Sequence, residues 1–144
     1  GGEEAVLSAF ARNVGGVAPS AAAAVNAVAD GSCYVGVTTE DLALQAADSG
    51  LSVTVVWPEE GTVLQPDCAA VVAGCAHGDN ARAFIDFLLS SEVQTRMAEQ
   101  FLRPIRGAGS GDLPPALAYD PYDAGAHQAE LLTTWRSLTA EETA

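Results

Sequence analysis

The clearest hydrophobic pattern in the chain is that of two short amphipathic helices separated by a few β-prone residues. After Ser20, apolar side chains fall at spacings of three and four residues as far as Gly31, which predicts a helix that this glycine ends. A second helix is predicted to start at Thr39, where two acids follow, and to stop at Gly50. Between the two helices, residues 33–38 are predicted to form a strand.

The second half of the chain carries further helical patterns. Asp79 or Asn80 is predicted to cap a helix whose inner face consists of Ala81, Phe84, Ile85 and Leu88. Ser91 and Gln94 have the Ser-x-x-Gln spacing of a capping box, which predicts another helix start. A last amphipathic helix is predicted around residues 126–138.

Two more runs of β-branched and apolar residues, 51–57 and 68–73, predict strands. Helices that alternate with short strands indicate an α/β fold, a mixed sheet flanked by helices. We predict an α/β lobe over residues 1–106 and a Gly- and Pro-rich linker or wrapping arm over 107–121. Residues 122–144 are predicted to hold a carboxy-terminal helix that packs on the lobe.

The charge of the chain excludes several classes of function. Its formal net charge is −13, and all six of its basic residues are arginines. The absence of lysine from the sequence excludes Schiff-base chemistry and a phosphate-loop lysine. Without clustered cations, binding to nucleic acid or to an anionic membrane surface would have to overcome net repulsion. We therefore expect no nucleic-acid partner.

The cysteines and histidines give little support for catalysis or for a metal site. Cys33, Cys68 and Cys75 form no Cys-x-x-Cys pair and stand in apolar contexts, which favours buried free thiols. A disulfide that involves Cys33 remains an alternative if the protein lies in an oxidising compartment. His77 follows Cys75 by two residues, but no orienting acid or amide can be assigned to such a pair. We predict no enzyme activity, no metal site and no cofactor.

Four stretches, in this order, resemble elements of one protein family. They are residues 27–41, 55–62, 79–94 and 103–106, of which 79–94 matches best, with its Asn-x-x-x-Phe-Ile-Asp-Phe-Leu-Leu-Ser core. The chain resembles the extracytoplasmic solute-binding proteins of ABC importers that have the type 2 periplasmic-binding fold. Within that family it is similar to the branch for ferric iron, polyamines, thiamine and phosphonates.

The resemblance implies a carboxy-terminal lobe of such a protein, whose amino-terminal lobe is missing and would be a partner. The implied function is to bind a small solute, a metal or an organic ion, outside the cytoplasm and to deliver it to an ABC permease. The alternative is a ligand-sensing or interaction domain of a receptor with the same fold. We expect a periplasmic protein or a cell-surface lipoprotein, with the signal sequence absent from this fragment. The paired tyrosines of ferric-iron members have no counterpart here.

The resemblance also places the solute in a cleft lined by strand ends and helix amino termini, which attract anionic groups through free N–H groups. Glu60, at a turn near the family's hinge, is a candidate contact for a cationic solute. The alternatives are that Ser20 and Thr39 are only helix caps, and that Glu60 belongs to a solvated turn. The predicted ligand-binding residues are Ser20, Thr38, Thr39, Glu40, Glu60 and Gly61.

Overall fold

A computed structural model describes the backbone of residues 2–105 and 114–140 and the side chains of residues 4–105 and 114–139. In these ranges the regular secondary structure consists of helices, which irregular segments connect. The helices, in chain order, are α1 (Gly2–Ala11), α2 (Ala21–Ala29), α3 (Glu40–Asp48), α4 (Gly78–Leu88), α5 (Ser91–Glu99) and α6 (Pro121–Ala140). The contacts divide the chain into two compact units, one formed by Gly1–Pro19 with Ala118–Ala144 and the other by Ser20–Leu117.

The smaller unit consists of α1 packed against α6. The rings of Phe10 and Trp135 lie 5.9 Å apart and tilted, a favourable arrangement for an aromatic pair. Ala11, which follows Phe10 in the sequence, is buried at 2% exposure. The prediction of a helix around residues 126–138 is confirmed, although α6 is longer at both ends, while α1 was not predicted.

In the larger unit, α2 and α3 form where the hydrophobic spacing predicted them. The Ser20 hydroxyl caps α2 by accepting a hydrogen bond from the Ala23 N–H at 3.1 Å. Gly31 follows the helix with a φ of 81°, a left-handed conformation that glycine adopts without steric cost. The two helices pack together and bury Val25 and Ala46, which are the buried apolar residues among the described part of this unit.

The caps of α4 and α5 differ from the predictions by one to three residues. His77 occupies the N-cap position of α4, so the predicted caps at residues 79 and 80 are wrong. Ser90, and not Ser91, caps α5 through the Val93 N–H. Phe84 is 60% exposed, so the predicted inner face of α4 is wrong at that position. The hydrophobic spacing located both helices but did not fix their ends.

The predicted mixed sheet is wrong. Within the described residues, the runs 33–38, 51–57 and 68–73 form no hydrogen-bonded ladder, and the β-bridge recorded there joins Thr62 to Ala116 in parallel. β-Branched residues favour extended backbone, but a strand also needs a neighbour for its N–H and C=O groups. The Cys33 N–H, for example, donates to the Ala27 carbonyl of α2. The expected single lobe of a type 2 periplasmic-binding-protein-like fold is therefore not observed.

The cysteines are free, but their predicted burial is wrong, because all three are exposed. Residues 107–113 of the predicted linker or arm lie outside the described residues, as does Arg106 of the stretch 103–106. The division into a lobe of residues 1–106, an arm and a packing helix stays a prediction.

The chain leaves α5 through a strained turn. Phe101 has a φ of 62°, although a bulky side chain rarely adopts the left-handed region. The Phe101 N–H donates to Ala98, and the Leu102 N–H donates to Met97. These two bonds are those of a Schellman motif, in which glycine usually takes the left-handed position.

Gln94 connects this turn to α4 from the interior. It is 5% exposed, and its side-chain amide donates to the Leu88 carbonyl at 2.8 Å. Its Oε1 atom accepts a hydrogen bond from the Ile105 N–H, also at 2.8 Å. A single buried amide therefore satisfies backbone groups before α5 and after it.

We predict that Gln94→Ala lowers the free energy of unfolding by about 1–3 kcal/mol, because it removes the side-chain partners of two backbone groups. Urea denaturation of the full-length protein measures the loss. Gln65→Ala is the control, since Gln65 is exposed and should change stability by less than about 0.5 kcal/mol. Equal midpoints for the two variants would contradict the bridging role of Gln94.

Candidate functional site

The chain after α2 turns back along that helix toward its start. A Cβ atom on Gly36 would lie 3.0 Å from the Val28 side chain and 3.2 Å from the Ala24 carbonyl, so the backbone passes directly over α2. Two residues later the Thr38 hydroxyl donates to the Ala21 carbonyl at 3.1 Å. The amino termini of α2 and α3 therefore lie at the same end of the helix pair. We call residues 20–21 and 38–40 the amino-terminal corner.

Four of the six predicted residues meet at this corner, but they play different parts. Ser20 already accepts a hydrogen bond from its own helix, as the capping alternative requires. Thr38 is half-buried and joins the two helix starts. Thr39 holds the N-cap position of α3 in an extended conformation, is exposed, and makes no side-chain cap hydrogen bond. The first amide groups of α3 therefore have no cap from that residue.

Glu40 lies at the centre of a polar cluster within the larger unit. Arg103 binds its carboxylate in a bidentate manner, with Nε 2.5 Å from Oε2 and Nη2 2.7 Å from Oε1. The Trp57 indole N–H donates to the same Oε1 atom at 3.0 Å. The Glu40 and Arg103 side chains are 23% and 26% exposed, so water screens this pair less than it screens a surface pair.

The hydrogen bonds from Arg103 hold the pKa of Glu40 below its ordinary value, and the Trp57 bond acts in the same direction against partial burial. The bond to Glu40 likewise raises the pKa of Arg103. The carboxylate is therefore ionised and paired throughout the neutral range.

Glu60 and Gly61 lie in the turn that follows Trp57. Glu60 is exposed, which agrees with a solvated turn. Gly61 is buried with a φ of 113°, and a Cβ atom there would lie 2.8 Å from the Pro115 carbonyl. The Thr62 N–H donates to that same carbonyl at 2.8 Å. Gly61 therefore serves the contact with residues 115–117, which only a glycine permits at this distance.

A groove of about 290 Å³ runs between α2 and α3. Its wall is mostly apolar, with three polar side chains, Asn26, Gln45 and Ser49. Gln45 also donates to the Gln100 carbonyl at 3.0 Å, so the end of α5 lies near one wall of the groove. This volume is just below the range of about 300–1,000 Å³ that is typical of ligand pockets.

Arg103 and Trp57 were not predicted as partners of Glu40. Both belonged to segments chosen for their resemblance, but no spacing rule joins residues that are 17 and 63 positions from Glu40. A usable signal was the scarcity of cations, since an acid at a helix start in a chain with six arginines has few partners.

Residues 2–105 and 114–140 contain no group of three or more His, Cys, Asp or Glu side chains that could hold a metal ion. In the same part of the chain, no helix combines the length and the apolar character that crossing a membrane requires.

The lowered pKa of Glu40 predicts that part of the free energy of unfolding is lost in acid. A depressed carboxyl pKa contributes stability that is fully present above the unfolded-state value and is lost as pH falls through the folded-state value. In Glu40→Gln the free energy of unfolding should therefore fall less steeply as the pH drops below the ordinary pKa of a glutamate. Urea midpoints measured from neutral to acidic pH test this, with Glu92→Gln as control because its pair with Arg96 is exposed and 3.8 Å long. Identical acid profiles for the two variants would contradict the assignment.

The chain is similar to known solute-binding proteins in two comparisons, one with a family model and one with curated proteins. The family model described as bacterial extracellular solute-binding protein matches residues 1–125. The chain is 31% identical over 74 residues to the spermidine/putrescine-binding periplasmic proteins of Escherichia coli (strain K12) and Shigella flexneri. The aligned segment is 51% of this chain and 21% of each relative, so the chain matches about a fifth of their length. No solved structure matches the chain significantly. From the match over residues 1–125, the chain belongs to the bacterial extracellular solute-binding protein family.

Proposed function

We propose that this chain takes part in binding a small solute outside the cytoplasm and in delivering it to the permease of an ABC importer. Family membership supports the solute-binding role, and reversible binding without turnover is the corresponding activity. The observation that carries the proposal is the hydrogen bond from Thr38 to Ala21, which holds two helix starts at one end of the α2–α3 pair.

The proposed contact point for the solute is the start of α3. The first N–H groups of a helix lack intrahelical partners, and a side-chain cap normally satisfies one of them. Ser20 does so for α2, whereas Thr39 does not for α3. An oxygen atom of a solute can accept hydrogen bonds there, with Thr38 and Thr39 as neighbouring hydroxyl groups. In this proposal Ser20 is a structural cap, and Glu40 fixes the position of the α3 start through Arg103.

The remaining predicted site residues and partners are part of the same proposal. Glu60 is exposed and within three residues of Trp57, which supports a contact at the rim of the site. Val35, Val37, Val56 and Val72 are 74–82% exposed, an unusual amount for valine. We propose that these valines contact the amino-terminal lobe, the partner that the family resemblance implies.

Native mass spectrometry of the full-length protein, purified without refolding, tests whether a solute is present. A bound species of defined mass is expected, and its mass would identify it. If none appears, incubation with spermidine, putrescine, thiamine, phosphonates and ferric iron follows. An empty spectrum after all five would contradict the solute-binding proposal.

Substitution of Thr38 tests the position of the site. Thr38→Val keeps the side-chain shape but removes the hydroxyl that bonds Ala21, so the two helix starts lose their link. We expect the affinity for the solute found above to fall by roughly two- to tenfold, the value of one neutral hydrogen bond. Thr54→Val is the control, since Thr54 is exposed outside the corner. Calorimetric titration measures both, and equal affinities would place the solute elsewhere.

A further inference from the structure

The Glu40 cluster has the composition of a receptor for an organic cation. A carboxylate and an indole side by side attract ammonium and guanidinium groups through charge-assisted hydrogen bonds and through the aromatic ring. Here the carboxylate of Glu40 lies beside the indole of Trp57, joined by a 3.0 Å hydrogen bond. A cation is already present in this receptor, because Arg103 belongs to the same chain.

The Arg103 contact differs from the other arginine ion pairs in the described part of the chain. Arg82 pairs with Asp79, and Arg96 with Glu92, within one helix turn and with side chains at least 68% exposed. Arg103 instead reaches Glu40 across 63 residues, and the pair is about one quarter exposed. Both carboxylate oxygens accept from the guanidinium, the geometry that carboxylate recognition by arginine favours.

The backbone around Arg103 holds the guanidinium in place. The Gln100 carbonyl accepts from Gln45 of α3, and the Ile105 N–H donates to Gln94 of α5. Arg103 therefore extends from a segment that is fixed on both sides. A tethered group of this kind competes with free ligands as if it were present at an effective concentration on the order of millimolar or above.

Resting on the proposed solute-binding function, we infer that Arg103 is an internal counter-ion that fills the cation site of Glu40 and Trp57 and excludes ammonium-bearing solutes from it. Arg103 is thereby a specificity-determining residue. The solute that meets the amino-terminal corner is one whose recognition does not need the Glu40 charge. Removing the guanidinium converts the same residues into a site for a small organic cation.

Chemical rescue tests this assignment in the full-length protein. Arg103→Ala vacates the space beside Glu40, and methylguanidinium, which has the head group of arginine, is the probe. We expect it to raise the melting temperature of Arg103→Ala and to bind that variant roughly tenfold or more tightly than it binds Arg103→Ala/Glu40→Gln. The unsubstituted protein and Arg96→Ala should show no such shift, since neither has an empty site at Glu40. Equal responses of the single and double variants would overturn the inference.

A second measurement does not depend on the folding of the Arg103 variants. The indole N–H resonance of Trp57 is followed by NMR while putrescine is added to the unsubstituted protein, with the indole N–H resonance of Trp135 as the internal reference. If Arg103 fills the site, the Trp57 resonance moves no more than that of Trp135, because the Trp57 N–H keeps its bond to Glu40. A saturable shift confined to Trp57 would show that the diamine reaches the Glu40 carboxylate, and would overturn the inference.

The two proposals fail in different ways. An empty native spectrum with successful rescue of Arg103→Ala would reject the solute-binding proposal and support the role of Arg103. A bound solute whose affinity falls in Thr38→Val, together with failed rescue, would support the solute site and reject the role of Arg103.

Discussion

The carboxylate of Glu40 joins three parts of the larger unit that are far apart in the sequence. Glu40 belongs to the first turn of α3, Trp57 comes from the irregular chain after that helix, and Arg103 follows α5. Partial burial strengthens these contacts but also makes each partner costly to lose, because the remaining charge would be left without its counter-ion. The position of the α3 start therefore depends on residues that follow it by 17 and by 63 positions in the sequence.

Polar contacts have this importance because the apolar core is small. In the described part of the chain, the buried apolar residues are Ala11, Val25 and Ala46, none of which is a large side chain. Burial of such residues gives little hydrophobic free energy. Specific hydrogen bonds, such as those of Gln94 and Thr38, accordingly fix the arrangement of helices that a larger core would otherwise fix by packing.

How well the sequence predicts a feature depends on how far apart in the chain the interacting residues are. Helices α2 to α5 could be located from local spacing, because caps and turn residues act within four positions. The predicted strands were wrong, since residues 33–38 have the right composition but lie against α2 and have no strand to pair with among the described residues. At the amino-terminal corner, local rules found Ser20, Thr39 and Glu40, whereas the contact of Glu40 with Arg103 needed the folded chain. The family itself was recognised from short motifs, and their match did not depend on the sheet.

The turn at Phe101 has a consequence for sequence variation among relatives. A residue with a side chain pays a steric penalty in the left-handed conformation that glycine does not, so the contacts around it must hold the turn in place. Gln94 supplies one such contact through Ile105, and Gln45 supplies another through Gln100. In related chains with glycine at this position, the turn would form with less help, and the bonds from Gln94 to Ile105 and from Gln45 to Gln100 would matter less. Covariation of these three positions would then record how the end of α5 is specified in each lineage.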